Sequence, residues 1–338
     1  AESIVPCLRK GNLVVLESTS PPRTTVDVVA PILESSGLRA GQDFHLAYTP
    51  ERVLPGQILR ELIENARVIG GIDRSSAEAG CDLYNLFVRG DIILTDATTA
   101  EMVKLMENTS RDVNIAIANE FSRLADRFGV DIWEAIELAN RHPRVNILRP
   151  GPGVGGHCIS VDPWFFVGAA PDISQLIKTA RIVNDAQPQF VVDLFKRAFH
   201  LPDEMDDHVL EGKRVGLLGL SYKSDVDDLR ESPAVEVAHL LQKEGAIVTA
   251  YEPLRTTAQL SGLQTVLTLE EALKGADIIG IMVAHTPFKE LTPERVTALT
   301  SARKVVDTVN IWNRETWEPA GFQVIRLGDG KNRTGHAS

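Results

Sequence analysis

Short apolar runs alternate with longer segments of helical periodicity along this chain, a pattern that predicts parallel sheets flanked by helices. In the first hundred residues, the runs are rich in β-branched residues and bounded by polar residues, as in strands buried on both faces. The pattern predicts strands at 12–17, 44–48, 66–71 and 91–95, with a helix over 75–88.

The middle of the chain has a helical pattern. A long helix is predicted over 98–128, because Thr98 and Glu101 have the spacing of a capping box and apolar residues follow at helical intervals. Apolar residues surround its polar stripe, so we expect a buried helix. Further helices are predicted over 131–140 and 172–198.

A second α/β pattern follows an acidic, proline-broken segment, 200–211, that is predicted to be a surface linker. Its predicted strands are 215–220, 246–251, 277–283 and 304–308, with a helix over 233–244. Gly216, Gly219 and Glu252 form only part of a dinucleotide-binding fingerprint, which is weak evidence for a second NAD site.

These segments predict an α/β fold in which two Rossmann-like parallel sheets are joined by a central helical domain. The first sheet is expected to be incomplete, because no Gly-x-Gly-x-x-Gly follows an early strand in the first hundred residues. The expected domains are 1–97 (partial dinucleotide-binding), 98–200 (central helical) and 211–330 (a second Rossmann-like domain).

Composition excludes several classes of function. The 338 residues are 43% apolar and 24% charged, as in globular proteins, and carry a net charge of −11. An acidic chain with scattered basic residues is not expected to bind nucleic acid or anionic membrane. No apolar run approaches the ~20 residues of a membrane span. Three cysteines without paired spacing predict neither disulfides nor a metal site, and favour a reducing, cytoplasmic location.

The glycine-rich stretch from Pro150 to Phe166 contains the strongest candidate for chemistry. Its glycines allow positive φ or close approach of a ligand, and they lead into Cys158, with His157 beside it and Asp162 four residues later. A thiol on such a turn is a candidate covalent nucleophile. The alternative is a buried cysteine that fills the core.

Three other groups are candidates with simpler alternatives. Hydroxyls at 18–20 follow the first strand, where they could contact a ligand or cap the next helix. Glu51 and Arg52 follow the second strand, where they could bind a ligand or form a surface ion pair. Lys104, Asn108 and Arg111 share one helix face, which could be solvated or could position a lysine for proton transfer.

The stretch around the cysteine resembles the signature of the UDP-glucose/GDP-mannose dehydrogenase family. It reads Gly-Gly-His-Cys-Ile-Ser-Val-Asp-Pro-Trp-Phe. Other segments that resemble the family are Glu-Ser-Thr at 17–19, Pro-Glu-Arg at 50–52, and Asp-Asp-Leu-Arg-Glu-Ser-Pro at 227–233. The resemblance therefore extends over nearly the whole chain.

The resemblance implies that the domain 98–200 contains the catalytic cysteine loop and that the domain 211–330 binds UDP. It also implies roles for particular residues. The implied catalytic residues are Cys158, Lys104, Asn108, Asp162 and Glu51. Those implied to bind substrate are Arg52, Val53, Arg111, His142, Arg144, Gly155, Tyr222 and Lys223, and the arginine at 144 can serve the neighbouring subunit. Thr19 and Arg230 are implied to bind NAD.

Two positions depart from the family pattern. Arg23 stands where the family usually has glycine, and it could crowd the cofactor or pair with its phosphates. The family's late arginine after a tryptophan is displaced, since Asn313 follows Trp312.

The implied activity is the oxidation of C6 of UDP-N-acetylmannosamine to a carboxylate with two NAD⁺, through a cysteine thiohemiacetal and thioester, in a homodimer. Since family members begin with the glycine fingerprint, this chain is expected to lack roughly the first 100 residues of the cofactor domain and to bind NAD poorly. The alternatives are a UDP-N-acetylglucosamine 6-dehydrogenase and a noncatalytic homologue that binds UDP-sugar.

Overall fold

The structure is a computed structural model that describes residues 1–53, 57–199, 208–257 and 260–333. Most of the predicted linker, 200–207, lies outside the described residues, as do residues 54–56. Two compact units are present, and the division falls within a helix. The first unit comprises Ala1–Ser110 and Val161–Ile177, and the second comprises Arg111–Ser160 and Lys178–Ser338. The three-domain division stays a prediction.

The described strands form two sheets. The strands are β1 (Leu13–Leu16), β2 (His45–Tyr48), β3 (Arg67–Gly71), β4 (Ile92–Asp96), β5 (Arg214–Leu218), β6 (Ile247–Tyr251), β7 (Gln264–Val266), β8 (Ile278–Ile281), β9 (Lys304–Asp307) and β10 (Gln323–Arg326).

The α-helices surround these sheets and fill the middle of the chain. They are α1 (Ala30–Glu34), α2 (Ile58–Glu64), α3 (Arg74–Tyr84), α4 (Ala97–Phe128), α5 (Ile132–Ala139), α6 (Asp162–Ala169), α7 (Gln175–Asp185), α8 (Gln187–Phe199), α9 (Pro233–Lys243), α10 (Leu269–Leu273), α11 (Thr286–Lys289), α12 (Pro293–Leu299) and α13 (Arg314–Trp317). Glu2–Cys7 and Gly330–Arg333 are 3₁₀ turns, and Thr25–Val29 is a π-helical segment that leads into α1.

The first sheet has the order β1-β2-β3-β4. The β1–β2 and β3–β4 pairs are parallel, whereas β2 and β3 are antiparallel. Every residue of β3 is buried, and α3 covers one face of the sheet through a cluster that includes Ala47, Ile69 and Tyr84. The α/β prediction is confirmed, with one antiparallel pair that a pattern of buried strands cannot show, because such strands look alike in either direction.

The second sheet is parallel throughout, in the order β10-β9-β8-β5-β6-β7. One apolar cluster on the sheet includes Phe195 and Val237, and another includes Phe288, Trp312 and Trp317. Helices therefore cover both faces, as in a doubly wound sheet. The short strands β7 and β10 were not predicted, because neither has a long β-branched run.

The predicted capping box at the start of α4 is wrong. The helix begins at Ala97, and its first turn is capped by Asp96, which accepts hydrogen bonds from the backbone N–H of Thr99 at 2.9 Å and from its hydroxyl at 2.6 Å. Glu101 is fully buried and binds elsewhere, in the turn after β1. Spacing alone cannot distinguish a capping glutamate from one that binds a distant segment.

The predicted burial of α4 is correct for one face only. Leu105 and Lys104 are buried, but Met102 and Met106 are about half exposed. The exposed apolar residues continue along the helix and over its end: Ile117, Phe121, Leu124, Phe128 and Val130. The long helix thus presents an apolar surface that the described residues leave exposed.

The helix predicted over 172–198 is two helices, α7 and α8, interrupted at Ala186. Pro188 lies in the first turn of α8, where its missing N–H costs nothing. Across the part of the chain that the structure describes, no helix is long and apolar enough to cross a membrane.

Candidate active site

The turn after β1 is held by Glu101 from α4. The carboxylate accepts hydrogen bonds from the backbone N–H groups of Arg23 (2.6 Å) and Thr25 (2.7 Å), and from the Thr25 hydroxyl (2.6 Å). The alternative of a Ser/Thr cap is therefore wrong, since no hydroxyl caps this helical segment. Sequence reasoning assigned Glu101 to a capping box and missed this role, because nothing in the local sequence indicates a partner in the turn after β1.

Arg23 adopts φ +74°, the left-handed region that favours glycine. The glycine that the family usually has at this position would adopt this φ without strain. Its guanidinium forms two hydrogen bonds to Asp27, at 2.6 and 2.7 Å, with both side chains exposed. In the structure the cation is therefore paired with a neighbouring carboxylate.

Glu51 and Arg52 do not form an ion pair with each other. Glu51 accepts hydrogen bonds from the backbone N–H groups of Arg52 (2.6 Å) and Val53 (2.9 Å). The Arg52 guanidinium is paired instead with Glu107 of α4 and donates to the Ala66 carbonyl at 3.3 Å. This loop is thereby tied to the helix that carries the candidate lysine.

A buried polar cluster lies on α4 and at the start of α6. The Asn108 side-chain amide donates to Asp162 Oδ2 at 2.5 Å, and Asp162 is 3% exposed. Lys104, one helical turn before Asn108, is 9% exposed, and its ammonium has no hydrogen-bond or ion-pair partner among the described residues. Since this ammonium has no partner in the described ranges and belongs to a largely buried residue, a ligand oxygen could bind it without breaking an existing ion pair.

Tyr48, the last residue of β2, belongs to the same buried region. Its ring packs in a cluster with Ala97 and Ala100 of α4. Its buried hydroxyl has no hydrogen-bond partner within the described ranges. Burial, and then the carboxylates of Glu101 and Asp162, raise the pKa of Tyr48, so the phenol stays protonated at neutral pH.

In the second unit, the cysteine loop is held at its beginning by Asn119 of α4. The Asn119 side-chain oxygen accepts a hydrogen bond from the backbone N–H of Gly151 at 3.0 Å, while its amide donates to Asn184 of α7 at 2.9 Å. Asn184 in turn donates to both the carbonyl and the carboxylate of Asp112. A fully buried amide chain therefore fixes where the loop starts.

The end of the loop packs closely on the segment 222–233. Gly156 donates its N–H to the Arg230 carbonyl at 3.2 Å and adopts φ +85°. A Cβ on Gly156 would lie 2.9 Å from the Tyr222 ring, and one on Gly155 would overlap the Glu231 carbonyl. Close packing therefore requires glycine at both positions, as expected for glycines that allow positive φ or a close approach.

Cys158 is exposed at this turn. The alternative of a buried, core-filling cysteine is therefore wrong. Burial, and then the carboxylate of Asp228, raise the pKa of the neighbouring Tyr222. Arg230 is exposed, and its guanidinium forms a two-point pair with Asp228 at 2.9 and 2.6 Å.

Several basic residues predicted to bind substrate have side chains without partners in the described part of the chain. These exposed residues are Arg111, Arg144 and Lys223. His142 is also exposed, and its Nδ1 accepts the backbone N–H of Arg144 at 3.4 Å. The half-buried Thr19 hydroxyl likewise has no partner there. Apart from that bond, no hydrogen bond or ion pair within the described ranges joins any of these five side chains to another predicted site residue.

The partial fingerprint in the second sheet does not form a ligand site. Glu252 is buried, and its carboxylate accepts hydrogen bonds from the backbone N–H groups of Leu220 (2.8 Å), Ser221 (3.0 Å) and Leu254 (3.2 Å). Gly219 packs against Val283. Because these three N–H groups already occupy its carboxylate, Glu252 is not available to bind a ribose. In the described ranges, no group of three or more His, Cys, Asp or Glu side chains could hold a metal ion.

The fold and these side chains are those of a dehydrogenase that oxidises nucleotide sugars with NAD. The chain belongs to the UDP-glucose/GDP-mannose dehydrogenase family, since the models of its NAD binding domain, central domain and UDP binding domain match residues 1–88, 98–186 and 216–314. The predicted family, class of enzyme and cofactor are thereby confirmed.

Individual relatives agree with this assignment. A UDP-N-acetyl-D-mannosamine dehydrogenase of Methanocaldococcus jannaschii is 49% identical, over 98% of this chain and 74% of that protein. An NDP-N-acetyl-D-galactosaminuronic acid dehydrogenase of Ralstonia solanacearum is 48% identical, over 93% and 73%. The solved structure of a UDP-D-ManNAc dehydrogenase from Pyrococcus horikoshii has a TM-score of 0.86 and 42% identity, over 97% and 75%.

Proposed function

We propose that this protein oxidises the C6 hydroxymethyl group of UDP-N-acetyl-D-mannosamine to a carboxylate, through a covalent intermediate on Cys158. The observation that carries this proposal is the exposed thiol on a turn whose two ends are held by the protein. A thiol that is accessible and held in place can attack a carbonyl carbon, whereas a core cysteine cannot.

In the first oxidation a hydride leaves C6 and the C6 hydroxyl proton departs through Lys104 or an ordered water, which gives the aldehyde. Lys104 is suited to bind this oxygen, because the residue is only 9% exposed and its ammonium lacks a partner among the described residues. The Asn108 amide, oriented by its bond to Asp162, would donate a second hydrogen bond to the same oxygen. Two such donors stabilise negative charge on oxygen in the transition state, each by about 3 kcal/mol in comparable sites.

The aldehyde would then be captured by the thiolate of Cys158. A carbon–sulfur bond forms at C6, the carbonyl electron pair moves to oxygen, and a thiohemiacetal results. Departure of the second hydride from C6 converts this adduct to a thioester. Covalent attachment retains the reactive aldehyde and divides a difficult oxidation into easier steps.

Hydrolysis of the thioester completes the reaction. Water adds to C6, the carbon–sulfur bond breaks, and the thiolate leaves as the carboxylate forms. Glu51 would accept the proton from this water, because its carboxylate is exposed and is held by two backbone N–H groups. Asp162 would orient Asn108 throughout.

The chain's own residues fit part of an NAD site. The hydroxyls of Ser18 and Thr19 follow β1, at the strand end where ligands of open α/β sheets bind, and the Thr19 hydroxyl is available within the described structure. Arg230 would contribute an exposed guanidinium. NAD⁺, when bound, supplies the acceptor for both hydrides.

The unpaired cations support an anionic sugar nucleotide as the substrate. Arg111, Arg144 and Lys223 are exposed and have no partners among the described residues, so diphosphate oxygens could bind them without breaking existing ion pairs. Arg52, Val53, His142, Gly155 and Tyr222 would complete the substrate contacts, as the family pattern implies.

The exposed apolar face of α4 supports a homodimer. It continues into an apolar groove of about 310 Å³, lined by Phe121, Leu124, Phe128 and Val130 together with residues of α5. Apolar surface of this kind on a globular chain commonly marks an interface. We propose that a second copy of the chain covers it.

The three cysteines are unpaired. This supports the proposed location in the reducing cytoplasm, where free thiols persist.

The choice of hexosamine is tested by turnover of the purified protein with NAD⁺ and, separately, the N-acetylmannosamine, N-acetylglucosamine and N-acetylgalactosamine UDP-sugars. Because this chain is expected to bind NAD poorly, NAD⁺ is supplied at high concentration; we then expect acid formation, with two NADH per acid, and the highest kcat/KM for the mannosamine substrate. A preference for N-acetylglucosamine would establish the alternative 6-dehydrogenase. UDP-sugar binding without NADH would establish the noncatalytic alternative.

A further inference from the structure

The carboxyl ends of three adjacent strands of the second sheet carry a buried hydrogen-bonded cluster. Ser221 follows β5, Glu252 follows β6 and His285 follows β8, and the order β8-β5-β6 makes these strands neighbours. The three side chains are 0–2% exposed. None of them belongs to the proposed reaction, so the cluster requires another explanation.

His285 is the centre of this cluster. Its Nε2 lies 3.0 Å from the Ser221 hydroxyl oxygen and 3.2 Å from Glu252 Oε2. The Ser221 hydroxyl donates to the Lys223 carbonyl at 2.8 Å. The imidazole is therefore connected to the main chain of the turn that carries Lys223.

The hydrogen bonds assign the tautomer of His285. The backbone N–H of Asp225 points to Nδ1 at 3.0 Å, so Nδ1 accepts and carries no hydrogen. The proton is then on Nε2, where Ser221 and Glu252 supply acceptors. A neutral imidazole satisfies both sides at once.

Asp225 is held from a second direction as well. Its carboxylate accepts hydrogen bonds from the backbone N–H (2.8 Å) and hydroxyl (3.0 Å) of Thr286, the first residue of α11. The backbone of Asp225 adopts φ +59°. A residue other than glycine keeps this conformation only when contacts with the surrounding structure stabilise it. The segment 221–225, which includes Tyr222 and Lys223, is thus fastened at both ends.

The cluster is not a nucleophilic triad, although it contains serine, histidine and glutamate. Ser221 is buried and its proton is donated to a carbonyl oxygen. Serine and glutamate both face the same nitrogen, whereas a triad uses opposite nitrogens of the ring. Its role is therefore structural or positional.

We propose that His285 is a positioning residue that fixes the Tyr222–Lys223 turn through its Nδ1 bond to Asp225, and thereby sets the affinity for the nucleotide part of the substrate. The inference rests on the proposed function in one respect, the binding of the sugar nucleotide by Lys223. The fixed turn presents the Lys223 side chain, which is exposed and has no partner in the described residues.

Two nearly isosteric variants separate the bonds of the two ring nitrogens. In His285→Asn the side-chain oxygen can take the place of Nδ1, whereas His285→Gln places its amide near Nε2 and loses the acceptor for Asp225. We expect His285→Asn to bind UDP, measured by calorimetry, within about 2-fold of the unchanged protein, and His285→Gln to bind it about 10-fold more weakly. In His285→Gln, KM for the UDP-sugar should rise with little change in kcat.

Amide hydrogen exchange gives a readout that does not depend on substrate. Exchange at Asp225 should accelerate in His285→Gln and remain slow in His285→Asn. Thr308→Val is the matched control, because it removes a buried hydrogen bond of the same sheet, from Thr308 to the Ile281 carbonyl at 2.9 Å. It should lower Tm without changing UDP affinity or exchange at Asp225.

Equal UDP affinity in both His285 variants, or unchanged exchange at Asp225 in His285→Gln, would overturn the positioning role. Lys223→Ala belongs in the same series. If it retains full UDP affinity while exchange at Asp225 responds as expected, the assignment of Lys223 to substrate fails, and His285 is shown to fasten the turn without that consequence.

Discussion

Asn108 donates a hydrogen bond to Asp162 at 2.5 Å, which joins the polar face of α4 to the first residue of α6. The residues are 54 positions apart in the sequence. Because Asp162 accepts from one proton of the amide, the second proton and its direction are set for a ligand oxygen.

Removing this donor should slow the reaction. We expect Asn108→Ala to lower kcat by about 100-fold, since an oxyanion donor typically contributes that much. The measurement is steady-state NADH formation. Glu120→Gln, an exposed change on the same helix, is the control and should leave kcat unchanged. A full-rate Asn108→Ala enzyme would contradict the assigned role.

Cys158 should be indispensable for acid formation. Cys158→Ser replaces the thiolate with a hydroxyl that is a far weaker nucleophile near neutral pH, so no uronic acid is expected. Product analysis by mass spectrometry tests this. Cys7→Ser also alters an exposed cysteine and should retain activity. Undiminished acid formation by Cys158→Ser would exclude the thiol as nucleophile.

Glu101 should contribute strongly to stability. Glu101→Ala leaves two backbone N–H groups and one hydroxyl without their acceptor. Loss of buried hydrogen bonds to a carboxylate costs about 3 kcal/mol in the free energy of unfolding. Urea denaturation measures the change. Glu64→Ala, which breaks an exposed pair with Arg60, should cost at most about 0.5 kcal/mol; an equally small loss at Glu101 would be inconsistent with the structure.

The stabilisation of α4 by its capping residue, Asp96, should decrease at acidic pH. Hydrogen bonds from the Thr99 hydroxyl and backbone lower the pKa of Asp96. Its stabilising effect is therefore complete above the unfolded-state pKa of about 3.9 and is lost as the pH falls through the lower folded-state value.

The variant Asp96→Ala makes that dependence visible. Near neutral pH it should lower the free energy of unfolding by about 1 kcal/mol, as for other N-caps. The difference from the unchanged protein should shrink at acidic pH, measured by urea denaturation at each pH. A difference that is constant with pH would show that the charge on Asp96 does not contribute.

The apolar face of α4 should govern association. We expect Leu124→Glu to shift the protein from dimer to monomer, because a charge would be buried without a partner in the interface. Sedimentation velocity measures the oligomeric state. Leu254→Glu alters an exposed leucine elsewhere in the second unit and should leave association unchanged. A monomeric unaltered protein would contradict the proposed homodimer.

The types of residue and their spacing were sufficient to predict the cysteine loop and the two α/β regions. The cysteine loop was recognisable because glycine is needed wherever φ is positive or packing is close, as at Gly156, and cysteine is the chemically reactive residue beside it. The two α/β regions followed from β-branched runs, because a strand buried on both faces must be apolar throughout. The roles of the individual site residues stay predictions.

The sequence did not predict the partners of side chains that bind residues far away in the chain. Glu101 has the spacing of a capping residue, but it binds Arg23 and Thr25, 78 and 76 residues away. His285 gave no signal at all, because nothing in the local sequence shows that a histidine lies against Glu252 and Asp225.

The amino-acid sequence by itself determined the class of fold, the family and the candidate cysteine, since periodicity, glycine placement and the identity of a thiol are local properties of a chain. Only the tertiary structure decided the direction of β3 against β2, the partner of Glu101 and the alignment of Asn108 with Asp162. Those features depend on which distant segments meet in space, and hydrogen-bond geometry is defined only after they have met.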